Sequence, residues 1–215
     1  DGGSRPIDDP CEAKRLVSLV VRERIEPILD RLLHPGQLGG RGLQRTREWR
    51  SYFKNHGCKV PGANIVDHFA RVAQRHLWEG RQWVVSIDLA NAFGLLPKKA
   101  VVGPLRNLGF SNEAIKFIWR LVQIDTVEQK TGRTIRKHTI GIEQGNPLSA
   151  LILNLALSRP LARLQSTLDI RALAFIDDIY LFARSEGEAH QAFNTLKAML
   201  KSKGFRNVRG LEKPG

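Results

Sequence analysis

Apolar residues fall into blocks along the chain whose periods alternate between helical and extended. In residues 15–33, Leu16, Leu19, Val20, Ile25, Ile28, Leu29 and Leu32 recur near helical spacing, and Pro35-Gly36 ends the run. Residues 65–79 predict a helix stopped at Gly80. Trp83-Val84-Val85-Ser86-Ile87-Asp88-Leu89 is β-branched and apolar, the pattern of a buried strand. Residues 98–108 and 111–123 predict helices, the second capped by Ser111 with Glu113 in its first turn. Residues 122–128 and Thr134–Ile142 predict strands joined across Lys130-Thr131-Gly132-Arg133. Residues 147–164 read as a helix, and 170–176 and 179–183 as short strands flanking Asp177-Asp178. Glu186–Lys203 predicts an amphipathic helix, with Ala189, Ala192, Phe193, Leu196, Met199 and Leu200 inward and Gly204 after its end. A central hairpin, a preceding strand and helices packed on one face make an α+β domain.

Charge changes this picture more than composition does. The chain is 42% hydrophobic and 26% charged, ordinary for a folded protein, so neither disorder nor a fibrous chain is expected. Thirty-four Lys and Arg against twenty-one Asp and Glu leave a net charge of +13. That excess points to a polyanionic partner, most simply nucleic acid. Cys11 and Cys58 are too few for a four-cysteine zinc site, and the histidines show no ligand spacing. A reducing, cytoplasmic setting is expected, and no apolar stretch is long enough for a membrane span. The chain starts without a methionine, and residues 211–215 close no element, as expected of a piece of something longer. No repeat or low-complexity linker divides it.

The chemistry sits at the ends of apolar strands: Asp88 after Val-Val-Ser-Ile, and Asp177-Asp178 within Phe-Ile-Asp-Asp-Ile-Tyr. A carboxylate in such a place is costly to desolvate without a partner, and two adjacent acids repel each other. A lone Asp-Asp pair is most often an ordinary turn. Flanking strands and a third acid favour bound Mg²⁺, a hard cation that takes oxygen ligands.

The chain resembles reverse transcriptases in several motifs. W-V-V-S-I-D-L-A-N-A-F (residues 83–93) is similar to the first palm motif, Q-G-N-P-L-S-A-L-I-L-N (144–154) to the second, and F-I-D-D (175–178) to the third. The amino-terminal Arg5-Pro6-Ile7-Asp8-Asp9-Pro10, followed by Lys14-Arg15-Leu16-Val17, resembles the fingers segment of the prokaryotic, group II intron-like branch. Phe175, Ile176 and Ala150 stand where many members carry Tyr, Ala and Pro.

The resemblance implies a right-hand polymerase with fingers over residues 1–82, a palm over 83–215, and no thumb in this chain. It implies that Asp88, Asp177 and Asp178 are catalytic and hold two Mg²⁺ ions, with Mn²⁺ as a substitute, and that Leu89 lends a backbone carbonyl. It places Phe93 against the sugar 2′ position, and Gln144, Gly145, Arg5 and Arg15 against the incoming nucleotide. Ala13 occupies a third basic place of the fingers segment, so that contact is absent or moved to Lys14. Lys213 is the nearest candidate for a lysine beside the pyrophosphate. Asn154 reads equally as a nucleic-acid contact and as a core hydrogen bonder.

Two basic clusters add to this: residues 41–59, with Arg45, Arg47 and Arg50 beside Trp49, Tyr52 and Phe53, and residues 197–213. Both are solvated faces or phosphate contacts to a template–primer duplex. The implied partners are an RNA template, a DNA or RNA primer, dNTPs, and accessory RNA or protein domains outside the chain. Three rivals stand beside RNA-templated DNA synthesis. An RNA-dependent RNA polymerase usually carries a second Asp where Phe93 stands. A non-catalytic RNA-binding scaffold predicts loss of the acids. An untemplated or protein-primed DNA polymerase of phage defence would keep every motif.

Overall fold

The computed structural model describes residues 11–40, 65–127 and 134–210. Along the chain come α1 (Glu12–Leu29), α2 (Ile65–Trp78), β1 (Trp83–Leu89), α3 (Lys98–Asn107), α4 (Asn112–Val122), β2 (Gln123–Val127) and β3 (Thr134–Ile142). They are followed by α5 (Ser149–Thr167), β4 (Arg171–Phe175), β5 (Asp178–Ala183), α6 (Glu186–Lys203) and β6 (Val208–Arg209). Four strands form one antiparallel sheet in the order β4-β5-β1-β6, and β2 and β3 pair separately. The α+β class read from the sequence is the class observed.

Strand alternation sorts the sheet into two faces. Val85, Ile87 and Leu89 of β1 are buried, while Ser86 and Asp88 between them are exposed. In β5, Ile179 and Leu181 join the buried face and Asp178 stands on the exposed one. Helices α5 and α6 pack on the buried side. Helix α5 is covered nearly all round, from Leu151 to Leu164. One helix lies on the other face: Phe69 of α2 meets Tyr180 edge-on at 5.3 Å and Phe175 at 6.4 Å, and His76 packs against Phe182 at 5.3 Å. Phe175 is the register partner of Asp178, so this helix reaches the strand next to the acids, while Asp88 and Asp178 themselves are exposed.

Local signals explain the elements that match. Ser111 accepts a hydrogen bond from the Ala114 amide (3.1 Å), and Ser185 caps α6 through the Glu188 amide (3.2 Å). Gly204, at φ 97°, closes α6 in the left-handed conformation that glycine adopts without penalty. Away from the acids the sheet is fastened by charge. Asp169 accepts from buried Arg81 (2.7 Å) and from Arg184 (3.2 Å), and the Arg81 bond in particular holds its carboxyl below the usual range.

Helix α1 differs from its sequence pattern. Its buried residues are Ser18, Ile25 and Leu29, whereas Leu16 (64% exposed) and Val20 (60%) face outward. The apolar spacing marks a helix without marking its core-facing stripe. No helix among the described residues is long and apolar enough to cross a membrane.

Candidate active site

The sheet brings Asp88 and Asp178 to one end of its two inner strands, with Asp177 in the adjoining turn. Strands β1 and β5 pair Ile87 with Ile179, so the next step along both places Asp88 beside Asp178 on the exposed face. Asp178 in turn pairs with Phe175 of β4, which leaves Ile176 and Asp177 as a two-residue turn. Asp177 is half-buried there. Ile176 has φ 60°, a left-handed conformation that costs a β-branched residue about 1–2 kcal/mol and persists only where its surroundings impose it.

These residues suit a hard divalent cation in donor chemistry. They supply carboxylate oxygens alone, and neither Asp88 nor Asp178 forms an ion pair among the described residues. The Leu89 side chain is in the core, which leaves its backbone carbonyl as the atom to consider. Among the described residues no group of three or more His, Cys, Asp or Glu side chains is gathered closely enough to hold a metal ion as they stand. Asp88 and Asp178 lie exposed at one end of β1 and β5.

Beyond β1 the chain turns through Asn91, at φ 54°, whose side chain accepts from the Gly94 amide (3.2 Å). This turn is stapled to the end of β3. The Phe93 carbonyl accepts from the Ile142 amide (2.8 Å) and the Leu96 carbonyl from the Gly141 amide (3.1 Å). Gly141, at φ 90°, lies so close that a Cβ there would stand 2.2 Å from the Gly94 oxygen. Close backbone approach is therefore why glycine occupies this position. Two residues past Ile142 come Gln144 and Gly145, both exposed. Thus the end of the first motif and the start of the second are joined by backbone hydrogen bonds, and Phe93 is half-buried, packed partly on the core.

Lys14 has a role that its sequence position does not suggest. It forms an ion pair with buried Glu143 and donates to the Gln123 carbonyl (3.0 Å). Asn146 continues this network, donating to Ser18 Oγ (3.1 Å) and the Leu121 carbonyl (2.7 Å) and accepting from the Leu148 amide (3.0 Å). Lys14 therefore ties α1 to the base of the Gln144–Gly145 turn, and it is already engaged within the protein rather than aimed at a triphosphate. Lys14→Met keeps the aliphatic stem but strips the buried carboxylate of its cation, so a loss of about 3 kcal/mol in chemical denaturation is expected, with the dNTP KM unchanged. A raised KM with unchanged stability would contradict this assignment.

The remaining candidates divide. Arg15 is exposed in the first turn of α1 and forms no ion pair among the described residues. Arg5, Arg45, Arg47, Arg50 and Lys213 lie outside the described residues, as do Trp49, Tyr52 and Phe53. Asn154 is corrected from a nucleic-acid contact to a core residue. It is wholly buried and donates to the Gly39 carbonyl at 2.7 Å, so no strand reaches it. Of the second basic cluster, Lys201 and Arg206 join Lys98 and Lys99 around a groove of about 530 Å³ that no acidic residue among those described lines.

The reverse transcriptase (RNA-dependent DNA polymerase) family profile matches residues 1–207, and the chain belongs to that family. It is 28% identical over 192 residues to the retrovirus-related Pol polyprotein of the type-1 retrotransposable element R2 of Popillia japonica, covering 82% of this chain and 24% of that protein. It is 25% identical over 146 residues to the corresponding polyprotein of the element R2DM of Drosophila melanogaster, covering 63% of this chain and 14% of that protein. The chain thus spans a quarter or less of these relatives. Among solved structures, apo telomerase from Candida tropicalis superposes with a TM-score of 0.52 at 14% identity, over 96% of this chain and 45% of that one. That likeness is one of fold.

Proposed function

We propose that the chain is the fingers–palm part of an RNA-directed DNA polymerase, with fingers over residues 1–82 and palm over 83–215. It extends a primer 3′-hydroxyl with dNTPs on an RNA template. The observation that carries this reading is the placement of Asp88 and Asp178 side by side at one end of the sheet, with Asp177 in the adjoining turn, in a chain of the reverse transcriptase family. Asp88 and Asp177 hold two divalent cations, Asp178 supports them, and the Leu89 carbonyl completes the donor set. Bound there, Mg²⁺ supplies the positive charge that activates the attacking hydroxyl and stabilises the leaving pyrophosphate. The chain's own residues do the positioning. Phe93 stands against the sugar, the Gln144–Gly145 turn beside the base pair being formed, and Arg5 and Arg15 against the triphosphate. Most of the acceleration then comes from alignment and charge, as in phosphoryl transfer generally. The test is single-nucleotide extension of a primed RNA template, with Mg²⁺ and with a chelator.

The basic surface holds the duplex backbone. Lys98, Lys99, Lys201 and Arg206 offer four cations to phosphates around one groove, and Arg45, Arg47 and Arg50, clustered in the sequence, are proposed to add to them. Replacing Lys201 and Arg206 by Ala, or the three arginines by Ala, should weaken template–primer binding for all sequences alike. The slope of log affinity against log salt should shrink by roughly 0.7–0.9 for each phosphate that is no longer neutralised. An unchanged slope would identify these as solvated charges.

A further inference from the structure

We infer that residues 36–40 form a strap that fixes the Ile176–Asp177 turn, with Gly39, Gln37 and Asn154 as positioning residues for the Asp177 carboxylate. This rests on the catalytic reading of Asp177 given above. The strap lies along the outer edge of β4 as a short parallel bridge between Gln37 and Ala174. The Ala174 amide donates to the Gly36 carbonyl (2.8 Å), and the Leu38 amide to the Ala174 carbonyl (2.9 Å). At its far end the strap presses on the turn itself. A Cβ built on Gly39 would lie 2.7 Å from both the backbone nitrogen and Cγ1 of Ile176, and 3.1 Å from the Phe175 carbonyl carbon. Backbone therefore packs directly on backbone, at the one residue of the turn held at positive φ.

The strap is itself held from below by side chains of α5. Gln37 is wholly buried; its amide donates to the Asn154 carbonyl (2.8 Å), and its oxygen accepts from the His34 amide (3.0 Å) and Ser158 Oγ (2.5 Å). Asn154 donates to the Gly39 carbonyl at 2.7 Å. Arg22 of α1 then donates to the Gly40 carbonyl (3.1 Å) and the Pro147 carbonyl (3.0 Å). One hydrogen-bonded frame thus runs from the catalytic turn to the segment that follows Gln144 and Gly145. Apolar side chains would fill this volume with equal burial, but they would leave the strap free to slide. Buried amides bonded to specific carbonyls set backbone position, and a turn in a strained conformation depends on that.

The test compares wild type, Gly39→Ala and Asn154→Ala in the purified protein. Four quantities are read: the single-turnover incorporation rate, template–primer affinity, melting temperature, and hydrogen exchange of the peptide spanning residues 171–183. Gly39→Ala should lower the incorporation rate by about a hundredfold, the loss expected from a shift of about 1 Å in a reacting group. Template–primer affinity should stay within about threefold, because the phosphate contacts are untouched. Exchange across 171–183 should quicken in both variants. Asn154→Ala adds no atoms, so it carries the test if Gly39→Ala yields no folded protein. Unchanged rate and exchange would overturn the inference. So would losses of rate, affinity and melting temperature in parallel, the signature of a merely structural role. Asp177→Asn run alongside separates the two readings. Full synthesis by that variant would refute the catalytic role of the turn, whereas the exchange data report on the strap alone.

Discussion

Asp177→Asn should lower nucleotide incorporation by at least about a thousandfold while leaving RNA binding nearly unchanged. Loss of a single preorganised hydrogen-bond donor at a reaction centre already costs about a hundred- to a thousandfold, and a carboxylate that would hold a cation fixes the larger positive charge that offsets the developing negative one. The turn geometry makes the substitution a clean one. Asp177 sits in the two-residue link between Phe175 and Asp178, and Asn is as well suited to a turn as Asp. The fold and the distant basic surfaces therefore remain, and only the charge is lost. Asp178 lies one step along β5, exposed and beside Asp88, and its replacement by Asn should cost less. The measurements are single-turnover extension and RNA affinity for each variant. Near-wild-type synthesis by Asp177→Asn would remove the turn from the mechanism.

The second large effect concerns the sugar. Phe93→Val should raise the use of rNTPs relative to dNTPs by at least about tenfold, equivalent to roughly 1.4 kcal/mol of lost discrimination. A ring against C2′ leaves no room for a hydroxyl and offers it no hydrogen-bond partner, so two penalties act together. Truncation acts locally because the turn is fixed by its backbone. The Phe93 carbonyl accepts from both the Ile142 amide (2.8 Å) and the Leu96 amide (3.3 Å), bonds that the smaller side chain keeps. The ring also packs partly on the core, so a modest loss of stability accompanies the change without altering the sugar ratio. Single-nucleotide extension with each sugar reads the ratio directly. A ratio that does not move would make Phe93 core packing alone. A wild type that prefers rNTPs would make the enzyme an RNA polymerase.

How much of the molecule is legible in its sequence depends on the range of the interactions involved. The strand Trp83–Leu89 and the helix Glu186–Lys203 are observed as read, because their signals are local: a β-branched run in one, and an amphipathic period closed by Gly204 in the other. The acids are legible for the same reason, since strand ends and a turn place them. The strap is not. Its glycines answer to residues 172 and 176, far along the chain, and no local pattern of Gly36 or Gly39 announces that contact. The Lys14–Glu143 pair is hidden likewise, and Lys14 reads as a cation for an external phosphate. Strand β6 is only two residues long and owes its existence to pairing with Asp88 and Leu89, so its own sequence carries little strand signal. Asn154 stands between two readings that only burial separates. The Arg5–Pro10 segment that suggests a prokaryotic branch lies outside the described residues.

The central claim is that the strand ends and turn carrying Asp88, Asp177 and Asp178 make DNA on an RNA template. Its most direct test is extension of a labelled primer annealed to RNA by the purified protein with dNTPs and Mg²⁺, followed by sequencing of the product. Template-complementary DNA that requires primer, Mg²⁺ and an intact Asp177 is the predicted result. Synthesis that is indifferent to the template sequence, that proceeds only with rNTPs, or that survives Asp177→Asn unchanged would contradict it.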